Sequence, residues 1–409
     1  MSNRPPRMLI YSHDSFGLGH LRRCRAIAQS LVAYRDDLSV LMIAGSPIVG
    51  AFSFSPNVDF IRVPGVVKVA NESYQPHSPG MSIDDLMAIR SAIILETARV
   101  FEPDIFLVDK EPLGLRGEVE ATLRLLKERE KVLVLGLRDV MDEPVRLAEE
   151  WDRKRAVPAL ENFYDHIWIY GLPEICDPLT GIDVSDAVRQ KTRFTGYLRR
   201  GKTPSGLYPQ PHEFEEPFFL VTTGGGGDGA MLVDWVLRAY EFDPTLDMPA
   251  KIVLGPFMGT SQQTGFMERV DRLPQVEAIT FEANIESLIQ RAQAVVAMGG
   301  YNTFCEILSF DKRALILPRT MPRAEQYIRA ARAADLGLVS MLLPDESTDP
   351  SQMVEALRAL PNRRRPSKVH IPGLLDGLSV INSLVDQYLG AVPPLAMPAR
   401  FAVVGGATG

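Results

Sequence analysis

A chain of 409 residues is too long for one ordinary core and points to two domains. With 46% hydrophobic and 23% charged residues it has a soluble globular make-up, and a formal charge of −7 argues against a general nucleic-acid binder, which would carry a basic excess. Three widely spaced cysteines (Cys24, Cys176, Cys305) and six scattered histidines suggest neither a disulfide framework nor a zinc site, and fit a reducing, cytoplasmic setting.

The N-terminus leads into a strand without a signal-peptide pattern, and no apolar run approaches the ~18 residues needed to span a bilayer. Residues 8–11 read as a buried strand that ends in Ser12-His13-Asp14-Ser15-Phe16-Gly17-Leu18-Gly19-His20. Residues 21–34 then carry helical spacing of Leu21, Ala26, Ile27 and Leu31. Strand, glycine loop and helix open a doubly wound α/β unit. A dinucleotide reading fails here: Arg22 stands at the third glycine position, and the second strand (residues 38–44) runs into Gly45-Ser46 with no acidic residue for a ribose.

Strands are expected at residues 58–63, 104–108, 131–137, 166–170 and 193–195. Between them lie a long loop (64–81) and helices at 82–101, 116–130 and 144–163; Ser82 is the N-cap of the first. The strands end in Asp109-Lys110-Glu111 and Arg138-Asp139. After a Gly/Pro-rich stretch the pattern restarts at residues 218–223, followed by Gly224-Gly225-Gly226-Gly227 and a helix at 230–240. Further strands are expected at 251–254, 276–280, 294–297, 314–317 and 338–341, and helices at 350–360 and 379–389. The division is an N-terminal α/β domain (1–196), a linker (197–216), a C-terminal α/β domain (217–372), a C-terminal helix (373–390) and a flexible tail (391–409).

The stretch Val295-Val296-Ala297-Met298-Gly299-Gly300-Tyr301-Asn302-Thr303-Phe304-Cys305-Glu306 is a strand, a Gly-Gly turn and a helix that presents backbone N–H groups to an anion. Glu306 follows Asn302 by four residues and so lies on the same face, one turn or roughly 6 Å into the helix. That span separates a pyrophosphate from its ribose, so phosphate is expected at residues 299–303 and ribose at Glu306. An ordinary strand-to-helix connection with a half-exposed glutamate is the bland alternative.

The second half resembles the C-terminal domain of the glycosyltransferase family 28 group, represented by the peptidoglycan lipid-intermediate N-acetylglucosaminyltransferase. The matching residues are Phe281-Glu282-Ala283-Asn284-Ile285, Gly299-Gly300-Tyr301-Asn302-Thr303-Phe304-Cys305-Glu306, Pro318 and Glu325-Gln326-Tyr327. In the first half, Gly17-Leu18-Gly19-His20 is similar to the family's N-terminal loop. The resemblance implies two Rossmann-like domains facing across a cleft, the glycosyltransferase type B fold. It assigns Glu306 to the ribose hydroxyls, Gln326 and Glu325 to the donor sugar, Phe281 and Glu282 to the base pocket, and Gly224, Gly225 and Gly226 to the same cleft. It also implies inversion by a single displacement and a UDP-linked donor. The chain departs from the family in having Met321-Pro322-Arg323-Ala324 where the family has a His-Lys-Asp run before the glutamine.

Sugar transfer needs a base at the acceptor and positive dipoles at the leaving diphosphate. His20 is the leading base, because helix-terminal N–H dipoles favour neutral imidazole. His13, Asp14, Asp109, Glu111 and Asp139 face the same side and can orient or replace it. Arg323 either complements the pyrophosphate or is a solvated surface arginine. No Asp-x-Asp motif occurs, so neither metal nor cofactor is expected. Arg22, Arg23 and Arg25 with the apolar residues 48–54 either meet a lipid-linked acceptor at the inner membrane face or form a solvated helix face beside a packed helix; the solvated reading is preferred. The acceptor is open between lipid-linked and polysaccharide-precursor hydroxyls. Rival functions are a sugar-nucleotide epimerase or hydrolase of the same fold, and a non-catalytic nucleotide-sugar-binding protein.

Overall fold

The computed structural model describes residues 4–13, 19–70, 73–76, 80–201, 217–344 and 348–390. The first half runs β1 (Arg7–Ser12), α1 (Gly19–Tyr34), β2 (Ser39–Ala44), β3 (Val58–Arg62), β4 (Val66–Ala70), β5 (Ser73–Pro76), α2 (Ile83–Phe101) and β6 (Ile105–Asp109). It continues with α3 (Glu120–Glu128), β7 (Val132–Arg138), α4 (Pro144–Arg153), α5 (Ala156–Asn162), β8 (His166–Tyr170), α6 (Asp186–Gln190) and β9 (Thr192–Phe194).

The second half runs β10 (Phe219–Thr222), α7 (Ala230–Phe242), β11 (Ala250–Val253), α8 (Thr260–Val270), β12 (Val276–Ile279), α9 (Ile285–Arg291) and β13 (Ala294–Ala297). Then follow α10 (Tyr301–Ser309), β14 (Arg313–Ile316), α11 (Glu325–Asp335), β15 (Ser340–Met341), α12 (Pro350–Ala359) and α13 (Gly377–Leu389).

Each half holds one parallel sheet, ordered β3-β2-β1-β6-β7-β8-β9 and β12-β11-β10-β13-β14-β15. Parallel strands are covered on both faces, which is why Met8, Leu9, Ile10 and Tyr11 are apolar without alternation and all buried. In both sheets the first strand lies centrally: β1 sits between β2 and β6, and β10 between β11 and β13. Strand order reverses there, and the carboxyl ends at such a reversal open onto a crevice. His20 follows β1, Asp109 ends β6, the Gly224 loop follows β10 and Gly299 follows β13. Topology alone brings these residues to the carboxyl edges of their two sheets.

The last helix returns to the first half. Asn382 of α13 donates to Ser30 at 3.1 Å, Asp386 accepts from Arg35 at 3.0 Å, and Tyr388 stacks on His166 with centroids 4.1 Å apart. Its entry is tight: a Cβ on Gly377 would lie 2.5 Å from the Gly196 carbonyl, so only glycine fits. One apolar core runs through this seam, joining Leu21, Cys24 and Ile27 of α1 to Phe304 and Leu308 of α10 and Ile381 and Val385 of α13.

Several elements differ from expectation. The loop at residues 64–81 contains the antiparallel hairpin β4–β5. The helix expected at 116–130 begins only at Glu120, because Arg116 (φ 51°) and Gly117 (φ 88°) sit in left-handed backbone within a 3₁₀ turn. The helix expected at 144–163 breaks into α4 and α5 at Arg155, whose φ is 51°. Most of the expected linker (202–216) and the tail from residue 391 lie outside the described residues. No helix among the described residues is long and apolar enough to cross a membrane.

Candidate functional site

At the first edge, residues 14–18, with Asp14 and Gly17, lie outside the described residues. Gly19 opens α1, and its carbonyl accepts from Asn302 Nδ2 at 3.0 Å, so it touches the second half directly. One residue on, His20 Nδ1 stands 2.5 Å from Asp109 Oδ2, and Asp109 also accepts from Arg23 Nε at 2.9 Å and Nη2 at 2.6 Å. A carboxylate only accepts, so Nδ1 carries the proton and Nε2 keeps the lone pair. Arg23 Nη2 lies 3.0 Å from the same Nδ1, but a protonated nitrogen cannot accept, so that approach reflects their shared carboxylate.

Burial pushes the His20 pKa down to about 4, against the opposing pull of Asp109. For Asp109 itself burial acts upward, yet the Arg23 guanidinium and His20 outweigh it and hold the carboxyl far below the usual range. Of the other proposed orienting groups, His13 lies edge-on to His20 at 5.6 Å, Glu111 pairs with Lys110 at 3.0 Å, and Asp139 is bound by Arg329 at 2.6 and 2.7 Å. Only Asp109 reaches His20 among them.

At the second edge the backbone leads. Gly224 and Gly226 have φ of 70° and 91°, and a Cβ on Gly226 would lie 2.6 Å from the Leu254 carbonyl. Gly299 has φ of 79°, and its added Cβ would meet Ile316 at 2.7 Å. Gly300 is the N-cap of α10 and has open space beside it. Asn302 is buried, its Oδ1 accepting from Arg200 Nη2 at 2.7 Å. Glu306, expected to be available to a ribose, is 1% exposed and accepts from Arg22 Nη2 at 2.5 Å; the same nitrogen donates to Glu286 at 2.7 Å. Burial, reinforced by Glu286, raises Glu306 to about 7 despite Arg22. Glu282 accepts from the Asn284 N–H at 2.8 Å, Gln326 Oε1 from the Arg319 N–H at 3.1 Å, and Glu325 from the Arg319 guanidinium.

These groups line one cavity of about 270 Å³ between the halves. Gly19 and His20 contribute from the first half; Gly224, Gly225, Phe281, Glu282, Gly300, Asn302, Thr303, Glu306, Glu325 and Gln326 contribute from the second. Gly226 and Gly299 shape turns without lining it, and Asp109 acts through His20.

The arginines are the main correction. Arg22, Arg23 and Arg25 do not form a solvated face: Arg22 holds Glu306, Arg23 holds Asp109, and Arg25 donates to the Ser53 carbonyl at 2.9 Å. Neither reading of Arg323 fits, since it pairs with Glu150 across the seam at 2.8 Å. Arg329, overlooked in the sequence, bridges Asp139 and the Gly299 carbonyl. Its position three residues after Gln326, on the same helix face, was the available signal.

Residues 220–368 match the model of the glycosyltransferase family 28 C-terminal domain. The chain is 24% identical over 398 residues to an uncharacterized glycosyltransferase of Methanosarcina acetivorans, covering 91% of this chain and 96% of that one. In fold it is similar to Acinetobacter baumannii MurG (TM-score 0.56, 11% identity, 94% of this chain and 100% of that one). It is likewise similar to the UDP-GlcNAc 2-epimerase of Methanocaldococcus jannaschii (TM-score 0.58, 10% identity, 94% and 99%).

Proposed function

We propose that the chain, whose residues 220–368 match the glycosyltransferase family 28 C-terminal domain, is a type B glycosyltransferase that moves a sugar from a UDP-linked donor to an acceptor hydroxyl by a metal-independent, inverting displacement. The observation that carries this reading is that the His20–Asp109 pair and Glu306 reach one cavity from opposite halves.

In this reading the donor diphosphate rests on the Gly224–Gly225 backbone and the N-terminus of α10, where N–H groups and the helix dipole favour negative charge. Arg200 donates to Asn302 without itself lining the cavity, and so fixes the first turn of α10. The ribose hydroxyls donate to Glu306. Arg22 uses one of the about four acceptor positions of that carboxylate and leaves others for the ribose. On the acceptor side, Nε2 of His20 takes the hydroxyl proton as the oxygen attacks the anomeric carbon, and the nucleoside diphosphate leaves with the bonding electrons. Asp109 stabilises the imidazolium that forms. A pKa near 4 keeps His20 unprotonated at neutral pH, at some cost in basicity.

A thermal-shift screen with nucleotide sugars tests the donor, since a true donor raises the melting temperature by mass action. Turnover is then followed with lipid-linked and polysaccharide-precursor acceptors, with and without EDTA. His20→Ala should abolish transfer with donor binding intact. Donor breakdown without acceptor would favour the hydrolase or epimerase reading, and loss of activity in EDTA would remove metal independence.

A further inference from the structure

Arg138 is a half-buried cation lining the cavity whose side chain makes no hydrogen bond or ion pair among the described residues, and its Nε is shielded from solvent without a partner. It ends β7, on the first half. Glu325, the first residue of α11 on the second half, also lines the cavity; one of its oxygens is held by Arg319, while Oε2 is buried without a partner. A buried polar atom left unpaired is costly, and four belong to residues of this cleft: Arg138 Nε, Glu325 Oε2, Arg319 Nε and Tyr301 Oη.

Of these, the Arg138 and Glu325 atoms come from opposite halves and are complementary. Arg138 offers only donors and the Glu325 carboxylate only acceptors, yet they make no bond to each other. They do sense each other. Burial lowers the Arg138 pKa to about 10 while Glu325 pulls it up; burial would raise Glu325, but Arg138 and Arg319 hold it low.

We infer that Arg138 and Glu325 form a two-sided slot, one side from each domain, that reads a neutral hydroxyl of the transferred sugar. This rests on the nucleotide-sugar reading above. A hydroxyl fits because it accepts from Arg138 and donates to Glu325 at once, satisfying both atoms. An anionic sugar does not: a carboxylate meeting Arg138 would face the Glu325 carboxylate in a partly dry site, where like charges repel strongly. The slot therefore selects neutral hexoses over uronic acids.

The test is titration calorimetry with UDP, UDP-glucose, UDP-N-acetylglucosamine and UDP-glucuronate on the full chain, its Arg138→Ala and its Glu325→Gln. The wild type should bind a neutral sugar nucleotide at least roughly tenfold more tightly than UDP-glucuronate. Arg138→Ala should weaken neutral sugar nucleotides roughly tenfold while UDP itself stays within about twofold. Glu325→Gln removes the negative side but keeps an acceptor, so it should raise UDP-glucuronate affinity, a gain that mere structural damage would not produce.

Equal losses for UDP and UDP-sugars in Arg138→Ala would make Arg138 a diphosphate contact and overturn the slot, leaving the nucleotide site standing. An unchanged glucuronate preference in Glu325→Gln would also overturn it. A wild type that binds none of the four ligands overturns the donor reading, and the slot with it.

Discussion

The two halves solve the same geometrical problem with different materials. Both place a glycine-bearing loop and a helix start at the point where strand order reverses. In the second half the turns are glycine (Gly224, Gly226, Gly299, Gly300), so the backbone itself can approach a ligand and donate N–H bonds. In the first half the helix start carries His20, Arg22 and Arg23, and buried carboxylates answer each of them. One edge presents backbone at glycine turns, the other presents paired side chains. The contrast agrees with the proposed reading, in which the donor lies on the second half and the general base on the first.

The largest expected effect strikes the side-chain half. Asp109→Asn keeps a similar shape but replaces one acceptor oxygen by an NH2 donor; with Arg23 holding the remaining oxygen, the NH2 meets His20 Nδ1 and favours the wrong tautomer, so kcat should fall by roughly 10³-fold with donor affinity little changed. Because Arg23 then loses its bidentate partner, the variant should also melt earlier. A kcat within tenfold of wild type would remove the dyad from the mechanism.

Next in size is the seam that holds the halves in register. Arg329→Leu leaves Asp139 buried without its cation and should cost about 3–5 kcal/mol, read from denaturant unfolding. A loss below about 1 kcal/mol would mean that the bridge contributes little.

The same contrast explains what was legible in the chain. Glycine turns and apolar strands are local signals, so the strands at 166–170 and 294–297, the Gly299–Gly300 turn and the helix bearing Glu306 could be read from residue order and spacing. Ion pairs between distant segments leave no such mark. Arg22 and Glu306 are 284 positions apart, and Arg329 and Asp139 are 190 apart. A cluster of three arginines at a helix start therefore reads as a solvated face until the fold supplies its carboxylates. The break at Arg155 was missed for a different reason, since nothing in its side chain announces left-handed backbone.

Glu306 ties the two halves together and gives the comparison a pH dependence. Its folded pKa of about 7 lies above the ordinary carboxyl value. The stability it contributes is therefore fully present below about 4.5 and is lost as pH rises through about 7, where a buried carboxylate must ionise. Ribose hydroxyls need that ionised form, so donor affinity should run the other way and strengthen from pH 6 to pH 8. Glu306→Gln should weaken donor binding roughly tenfold to a hundredfold at pH 8 and flatten both profiles. A donor affinity in the wild type that is constant across this range would sink the ribose assignment.

The smallest effect separates glycines that shape a turn from those that leave room for a ligand. Gly226→Ala forces a side chain into left-handed backbone and against the Leu254 carbonyl, so it should cost about 1–3 kcal/mol of stability. Gly300 has φ −57° and ψ 152°, a conformation open to any residue, and an added Cβ meets nothing within 4 Å. Gly300→Ala should therefore unfold at the wild-type temperature. The new methyl group, however, stands in the cavity at the start of α10, where the diphosphate is expected to approach the backbone. Donor affinity should drop roughly tenfold while melting stays unchanged, because a displacement of the phosphate by one methyl forfeits charge-assisted bonds. Melting unchanged with donor affinity also unchanged would move the diphosphate off this helix start and onto the Gly224–Gly225 turn.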